Sequence, residues 1–244
     1  MTPEDASVGR LLSRREVVTL LGATGTLWLM GGSLFPRRAV TAIHGPSCVV
    51  RPEQTEGPYF VDERLNRSDI RSDPSDGHII PGTMLTLTVL VSRLGAGDCR
   101  PLEGAQVDIW HCDALGIYSD VNDPSFKTLG RKFLRGYQIT DAKGEAQFVT
   151  IYPGWYEGRT VHIHVKIRTE PQAKRSYEFT SQMYFDDGLT DRIHADQPYA
   201  AKGRRNARNQ DDRIFRRGGD QLMLAPTATA DGYAATFAIG LQLP

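Results

Sequence analysis

Cysteine is scarce in this chain, and the three present, Cys48, Cys99 and Cys112, share no Cys-x-x-Cys spacing. That leaves a thiolate zinc or iron–sulfur site without support. Net charge is absent as well: 29 basic side chains balance 29 acidic ones, so there is no electrostatic footprint for nucleic acid or an anionic membrane surface. A small neutral or mildly acidic ligand is easier to reconcile with this balance. Sustained helical periodicity, internal repeats and low-complexity segments are also missing. What remains is ordinary for a soluble globular protein, 40% hydrophobic over 244 residues, enough for one well-buried domain.

The N-terminus stands apart. Ser13-Arg14-Arg15-Glu16-Val17-Val18 precedes an apolar stretch from Val17 to Phe35, and Arg37, Arg38 and Ala42 follow. This is the layout of a twin-arginine export signal, with Val40-Thr41-Ala42 as a small-residue cleavage site. Residues 1–42 are therefore expected to be an address and residues 43–244 the domain. The apolar stretch approaches the roughly 20 residues that span a bilayer, but its glycines and threonines make it only mildly hydrophobic, which favours a cleaved signal over an anchor. Left uncleaved, it would tether the protein to the membrane; cleaved, it leaves no stable span. The twin-arginine route carries folded proteins, a route that suits an exported metal enzyme. In an oxidising compartment Cys48 pairs most naturally with Cys99, because Cys112 sits in a strand-like run and reads as a buried thiol.

The body alternates with a period of two. Met84 to Ser92 is a β-branched alternating run, and Ala105 to His111 places Val107 and Ile109 on one face with Asp108 and Trp110 on the other. Similar runs occupy Phe133 to Thr140, Ala146 to Ile151, Val161 to Ile167, Phe179 to Phe185 and Ala234 to Leu243. Turn signals such as Asp141-Ala-Lys-Gly144, Pro153-Gly154 and Asp186-Asp-Gly188 separate them. Many short strands predict an all-β fold, an antiparallel β-sandwich with long active-site loops. Two polar segments interrupt the pattern, Asp120 to Arg131 and Arg192 to Arg216, and the mixed charges of Lys202 to Arg213 read as a solvated loop.

The chemistry concentrates in Arg159-Thr-Val-His162-Ile-His164-Val165. Two histidines two apart on a strand project to one face, roughly 6.5 to 7 Å apart along the backbone, which suits adjacent positions on one metal. Imidazoles alone do not name the metal, since zinc, copper and iron all accept them. Tyr156 lies in the loop entering the histidine strand, and Tyr118 lies just past another strand. A metal-bound tyrosine must lose a proton whose free pKa is about 10, which calls for a strongly Lewis-acidic ion such as iron(III). The alternative, two histidines and a carboxylate from Asp113 or Glu157, suits iron(II) or zinc and a hydrolase; a non-catalytic binding sandwich would need neither set.

Thr55-Glu-Gly-Pro-Tyr59-Phe60, Val107 to Tyr118, Phe133-Leu-Arg-Gly-Tyr-Gln138, Pro153 to His164 and Ser181-Gln182-Met-Tyr-Phe185, taken in order, resemble the intradiol ring-cleavage dioxygenases. This is the family of catechol, hydroxyquinol and protocatechuate dioxygenases, and the resemblance covers most of the chain after the signal. It implies Fe(3+) held by Tyr118, Tyr156, His162 and His164, with Tyr156 and His164 axial. It also implies a catechol-type substrate cleaved with O2, both oxygen atoms entering a cis,cis-muconate-type diacid. By the same resemblance Arg159 stabilises charge on the substrate, Tyr156 takes part in catalysis, and Gln182 and Tyr59 line the substrate pocket. A surface ion pair with Glu157 is the plainer role for Arg159. The link from Tyr156 to Arg159, only Glu157 and Gly158, is shorter than in the well-known family enzymes, and the long N-terminal dimerisation helix of the catechol enzymes is missing. Homo-oligomer formation is left open.

Overall fold

The computed structural model describes residues 49–95, 97–169 and 177–243. The expected export signal at residues 1–42, the segment 43–48 and therefore Cys48 lie outside them. Among the described residues no helix is long and apolar enough to cross a membrane.

Two sheets carry the structure. In the first, β1 (Met84–Leu94) pairs with β11 (Gly232–Leu241) on one side and with β2 (Cys99–Pro101) and β7 (Glu145–Ile151) on the other, while β10 (Thr227–Ala228) extends the β11 edge. The second sheet runs in the order β6 (Arg135–Ile139), β3 (Gln106–Trp110), β8 (His162–Arg168), β9 (Glu178–Tyr184), with every neighbour antiparallel. The seven alternating runs of the sequence are thus seven strands, with ends displaced by one or two residues. One ladder departs from the antiparallel pattern. The β1–β11 pair is parallel, Met84 opposite Gly232 through Arg93 opposite Leu241, so the first sheet is mixed.

The core forms because each strand buries one side. Leu85, Leu87, Val89 and Val91 of β1, Phe148 of β7 and Phe237 and Ile239 of β11 share one buried cluster with Val107, Ile109, Ile163, Val165 and Ile167 of the second sheet. Strand β3 breaks the simple rule: all five of its residues are buried, Asp108 and Trp110 included. Its outward side is covered by Phe60 from a loop, packing on Trp110 with centroids 4.8 Å apart, and by Arg168 at the end of β8, bonding both oxygens of Asp108.

The two polar segments are ordered connections. Residues 120–131 contain a small hairpin, β4 (Asn122–Asp123) and β5 (Phe126–Lys127). The second begins in the last turn of α1 (Asp187–Ile193), whose N-cap Asp186 accepts the Leu189 amide, and runs through short 3-10 turns at Tyr199–Lys202 and Asn209–Asp211, with another beyond it at Gly219–Leu222. Cys99 is disulfide-bonded, and Cys112 is a buried free thiol.

Candidate metal centre

Alternation along β8 decides where the site lies. Ile163, Val165 and Ile167 point into the core, so His162, His164 and Lys166 leave the opposite face of the same strand. Register then fixes their neighbours: Trp110 of β3 stands opposite His164, and on β9 Gln182 stands opposite His164 and Tyr184 opposite His162. The site is therefore built on the outward face of the second sheet, beneath loops, rather than between the sheets. Both histidines are nonetheless buried, at 2% and 1% exposure.

Each ring is held. His162 Nδ1 lies 2.6 Å from the Thr160 carbonyl, which accepts its proton and leaves Nε2 with the lone pair. That Nε2 is 3.1 Å from His164 Nε2 and 3.3 Å from the Tyr156 hydroxyl. The His164 ring stacks on Trp110, centroids 4.8 Å apart and planes 6° from parallel. Gly57, at φ +73°, passes so close that a Cβ there would sit 3.3 Å from His164 Cε1. Tyr118 completes the group, its ring 5.7 Å from that of Tyr156 and 6.3 Å from that of His164.

These residues fit a bound cation. Among the described residues the buried Tyr118 hydroxyl has no hydrogen-bond partner, an arrangement costing about 1–3 kcal/mol unless something else satisfies it. Burial holds both histidines well below the ordinary imidazole range, so they are neutral and free to donate lone pairs. Burial also raises the Tyr118 phenol well above its usual value and pushes Tyr156 up to about 12, against the pull of the Arg159 guanidinium. Only a strongly charged ion draws protons from such phenols. The carboxylate alternative has no geometric support. Asp113 Oδ1 accepts the Leu115 and Ile117 amides, each at 2.9 Å, and closes a turn, while Glu157 is exposed. Among the described residues no cluster of three or more His, Cys, Asp or Glu can hold a metal.

Arg159 reaches the group with each of its three guanidinium nitrogens engaged. Nη1 donates to the Tyr156 hydroxyl at 3.1 Å, Nη2 donates to Gln182 Oε1, and Nε donates to Asp212 Oδ2 at 2.8 Å. Gln182 is itself fixed, donating to the Thr55 carbonyl at 2.9 Å and accepting from the Tyr184 hydroxyl at 3.0 Å. Tyr59 stacks on Tyr118 at 4.4 Å and donates to Asp123 at 2.9 Å. All seven residues singled out in the sequence therefore gather in one place.

Two expectations need correction. Arg159 pairs with Asp212 rather than Glu157. And the charged run 202–213 is not simply a solvated loop, because Asp212 is 1% and Asn209 7% exposed. Asp212 Oδ2 also accepts the Thr160 amide at 3.1 Å, and Asn209 Oδ1 accepts the Thr160 hydroxyl at 2.6 Å. This turn thus clamps the residue that orients His162. Sequence reading also passed over Trp110 as a ring partner, although its alternation placed it on the site's face.

A dioxygenase family model matches residues 55–210. An intradiol ring-cleavage dioxygenase from Tetranychus urticae superposes with a TM-score of 0.69 at 30% identity, over 80% of this chain and 95% of that one. A chlorocatechol 1,2-dioxygenase from Pseudomonas putida is 27% identical over 156 residues, 54% of this chain and 53% of that protein. Catechol 1,2-dioxygenase 2 from Acinetobacter lwoffii is 33% identical over 113 residues, 43% of this chain and 35% of that protein. The chain spans about half the length or less of these curated relatives.

Proposed function

The chain belongs to the intradiol ring-cleavage dioxygenases, and on that premise we propose that it uses Fe(3+) and O2 to open a catechol-type ring between its two hydroxylated carbons. The product is a cis,cis-muconate-type diacid. One observation carries the reading: His162 Nε2 lies 3.3 Å from the Tyr156 hydroxyl and 3.1 Å from His164 Nε2, beside the buried Tyr118 hydroxyl, which has no hydrogen-bond partner among the described residues. Two phenols and two neutral imidazoles are a donor set for ferric iron, held by Tyr118, Tyr156, His162 and His164. When bound, that iron supplies the Lewis acidity that keeps phenolates and a catechol dianion deprotonated, and the redox chemistry with O2.

The protein's own residues do the rest. Tyr156 is the group placed to take a proton from an incoming catechol hydroxyl, and Arg159, 3.1 Å from that oxygen, stabilises negative charge there without being able to give up its own proton. Gln182 and Asp212 fix the guanidinium, so its orientation is set before substrate arrives. Tyr59 and Trp110 cover the donor rings and exclude water. Export through the twin-arginine route, after loading with iron, is part of the same proposal.

The test is oxygen uptake by the iron-loaded protein with catechol. One O2 consumed per catechol, with both atoms in the diacid, supports the proposal; an iron-loaded protein that takes up no oxygen with catechol overturns it.

A further inference from the structure

Beside Tyr156 opens a cavity of about 420 Å³. Sites of roughly 300–1,000 Å³ take drug-sized ligands, so a bare catechol ring leaves much of this one unfilled. The aromatic rings of Tyr59, Phe126 and Trp155 form its walls, and Asp123, Glu157 and Lys202 supply its charge. The two carboxylates outnumber the single ammonium, and they are placed differently. Asp123 sits on the 122–127 hairpin, one oxygen accepting the Tyr59 hydroxyl and the other the Ser125 amide at 2.8 Å. Glu157 is exposed at the rim, brought there by the two-residue link between Tyr156 and Arg159. Lys202 is already engaged: its ammonium donates to the Leu115 carbonyl and lies 4.9 Å over the Trp155 ring.

Resting on the ring-cleavage reading, we propose that this cavity receives the substituent of a substituted catechol, and that Asp123 and Glu157 select an alkylammonium arm over a carboxylate. A carboxylate entering here meets two like charges against one ammonium that already donates to the Leu115 carbonyl and lies over the Trp155 ring, a balance that disfavours it. An ammonium meets opposite charge between aromatic faces, the surroundings in which organic cations are held. Because Glu157 is exposed and Asp123 only half-buried, the selection is moderate and weakens with salt.

Two measurements test this together. The first is the ratio of kcat/KM for 4-(2-aminoethyl)catechol to that for 3,4-dihydroxybenzoate, in the iron-loaded wild type and in the D123N/E157Q double variant. The second is calorimetric binding of the non-cleavable analogues 3-hydroxyphenethylamine and 3-hydroxybenzoate to the same proteins. The proposal expects a ratio of roughly fivefold or more in favour of the amine, the same order in binding, and both preferences falling toward one in the double variant and at high salt. A wild-type ratio at or below one, or a preference that the double variant leaves unmoved, overturns it. If no catechol is cleaved but the binding preference holds and vanishes in the double variant, the ring-cleavage reading falls while the charge-selective cavity stands.

Discussion

Arg159 and Asp212, separated by 53 residues in the chain, form a buried ion pair, Nε to Oδ2 at 2.8 Å, with side-chain exposures of 16% and 1%. Asp212 is the hinge between the charged segment and the site, since the same oxygen accepts the Thr160 amide. Replacing Asp212 with Asn keeps the size but leaves Arg159 without its counter-charge. Removing one partner of a buried pair costs about 3–5 kcal/mol; with Arg159 partly open to solvent, we expect about 2–3 kcal/mol. D212N should lower the urea midpoint accordingly and reduce kcat more than it raises KM, because the guanidinium is misplaced rather than lost. Unchanged kcat in a folded D212N protein would show that Arg159 needs no such anchor.

Adjacent residues of β8 should fail in different ways. Ile163 faces the core at 0% exposure, and His164 faces the donor group. I163A should destabilise the fold by about 2–4 kcal/mol while the protein that remains folded still takes up iron. H164Q should leave metal-free stability within about 1 kcal/mol and lose iron on dialysis. Urea titration and metal analysis of both variants separate the two outcomes, and iron retention by H164Q would remove this residue from the ligand set.

Acid stability has an identifiable source outside the donor set. His111 is buried, Nε2 lying 2.7 Å from the Thr150 hydroxyl and Nδ1 2.8 Å from the Cys112 carbonyl, and burial lowers its pKa from 6.5 to about 4. Above pH 6.5 neither folded nor unfolded chain binds this proton. Between pH 6.5 and 4 only the unfolded chain does, so stability falls by about 1.4 kcal/mol per pH unit, roughly 3 kcal/mol in all, and the effect levels off below pH 4. Metal-free H111Q should start less stable at pH 7 yet lose about 2–3 kcal/mol less than wild type on moving to pH 4.5. Parallel losses in urea melts at the two pH values would assign the acid sensitivity elsewhere; His162 and His164 shift in the same direction.

The strands were legible in the sequence because burial of one sheet face leaves a period of two, and the histidine pair was legible because that period puts residues 162 and 164 on one side. Tyr118 and Tyr156 carry no such signal. They stand in loops, where a phenol looks the same whether it packs or ligates, and their resemblance to family motifs is what singled them out. Asp212 and Asn209 were hidden for a further reason: their neighbours Arg204, Arg205, Arg208, Asp211 and Arg213 form a mixture typical of solvated loops, and their partner Thr160 is some fifty positions away. The parallel β1–β11 ladder was equally invisible, since alternation fixes which side of a strand is buried and says nothing of its neighbour's direction.

The most direct test of the central claim is the visible absorption spectrum of the purified, iron-loaded protein, recorded before and after anaerobic addition of catechol. Coordination of ferric iron by Tyr118 and Tyr156 predicts a broad phenolate-to-iron band that moves to longer wavelength when catechol binds, and that weakens in Y118F. A colourless iron-loaded protein, or a spectrum that catechol leaves unchanged, would contradict the account.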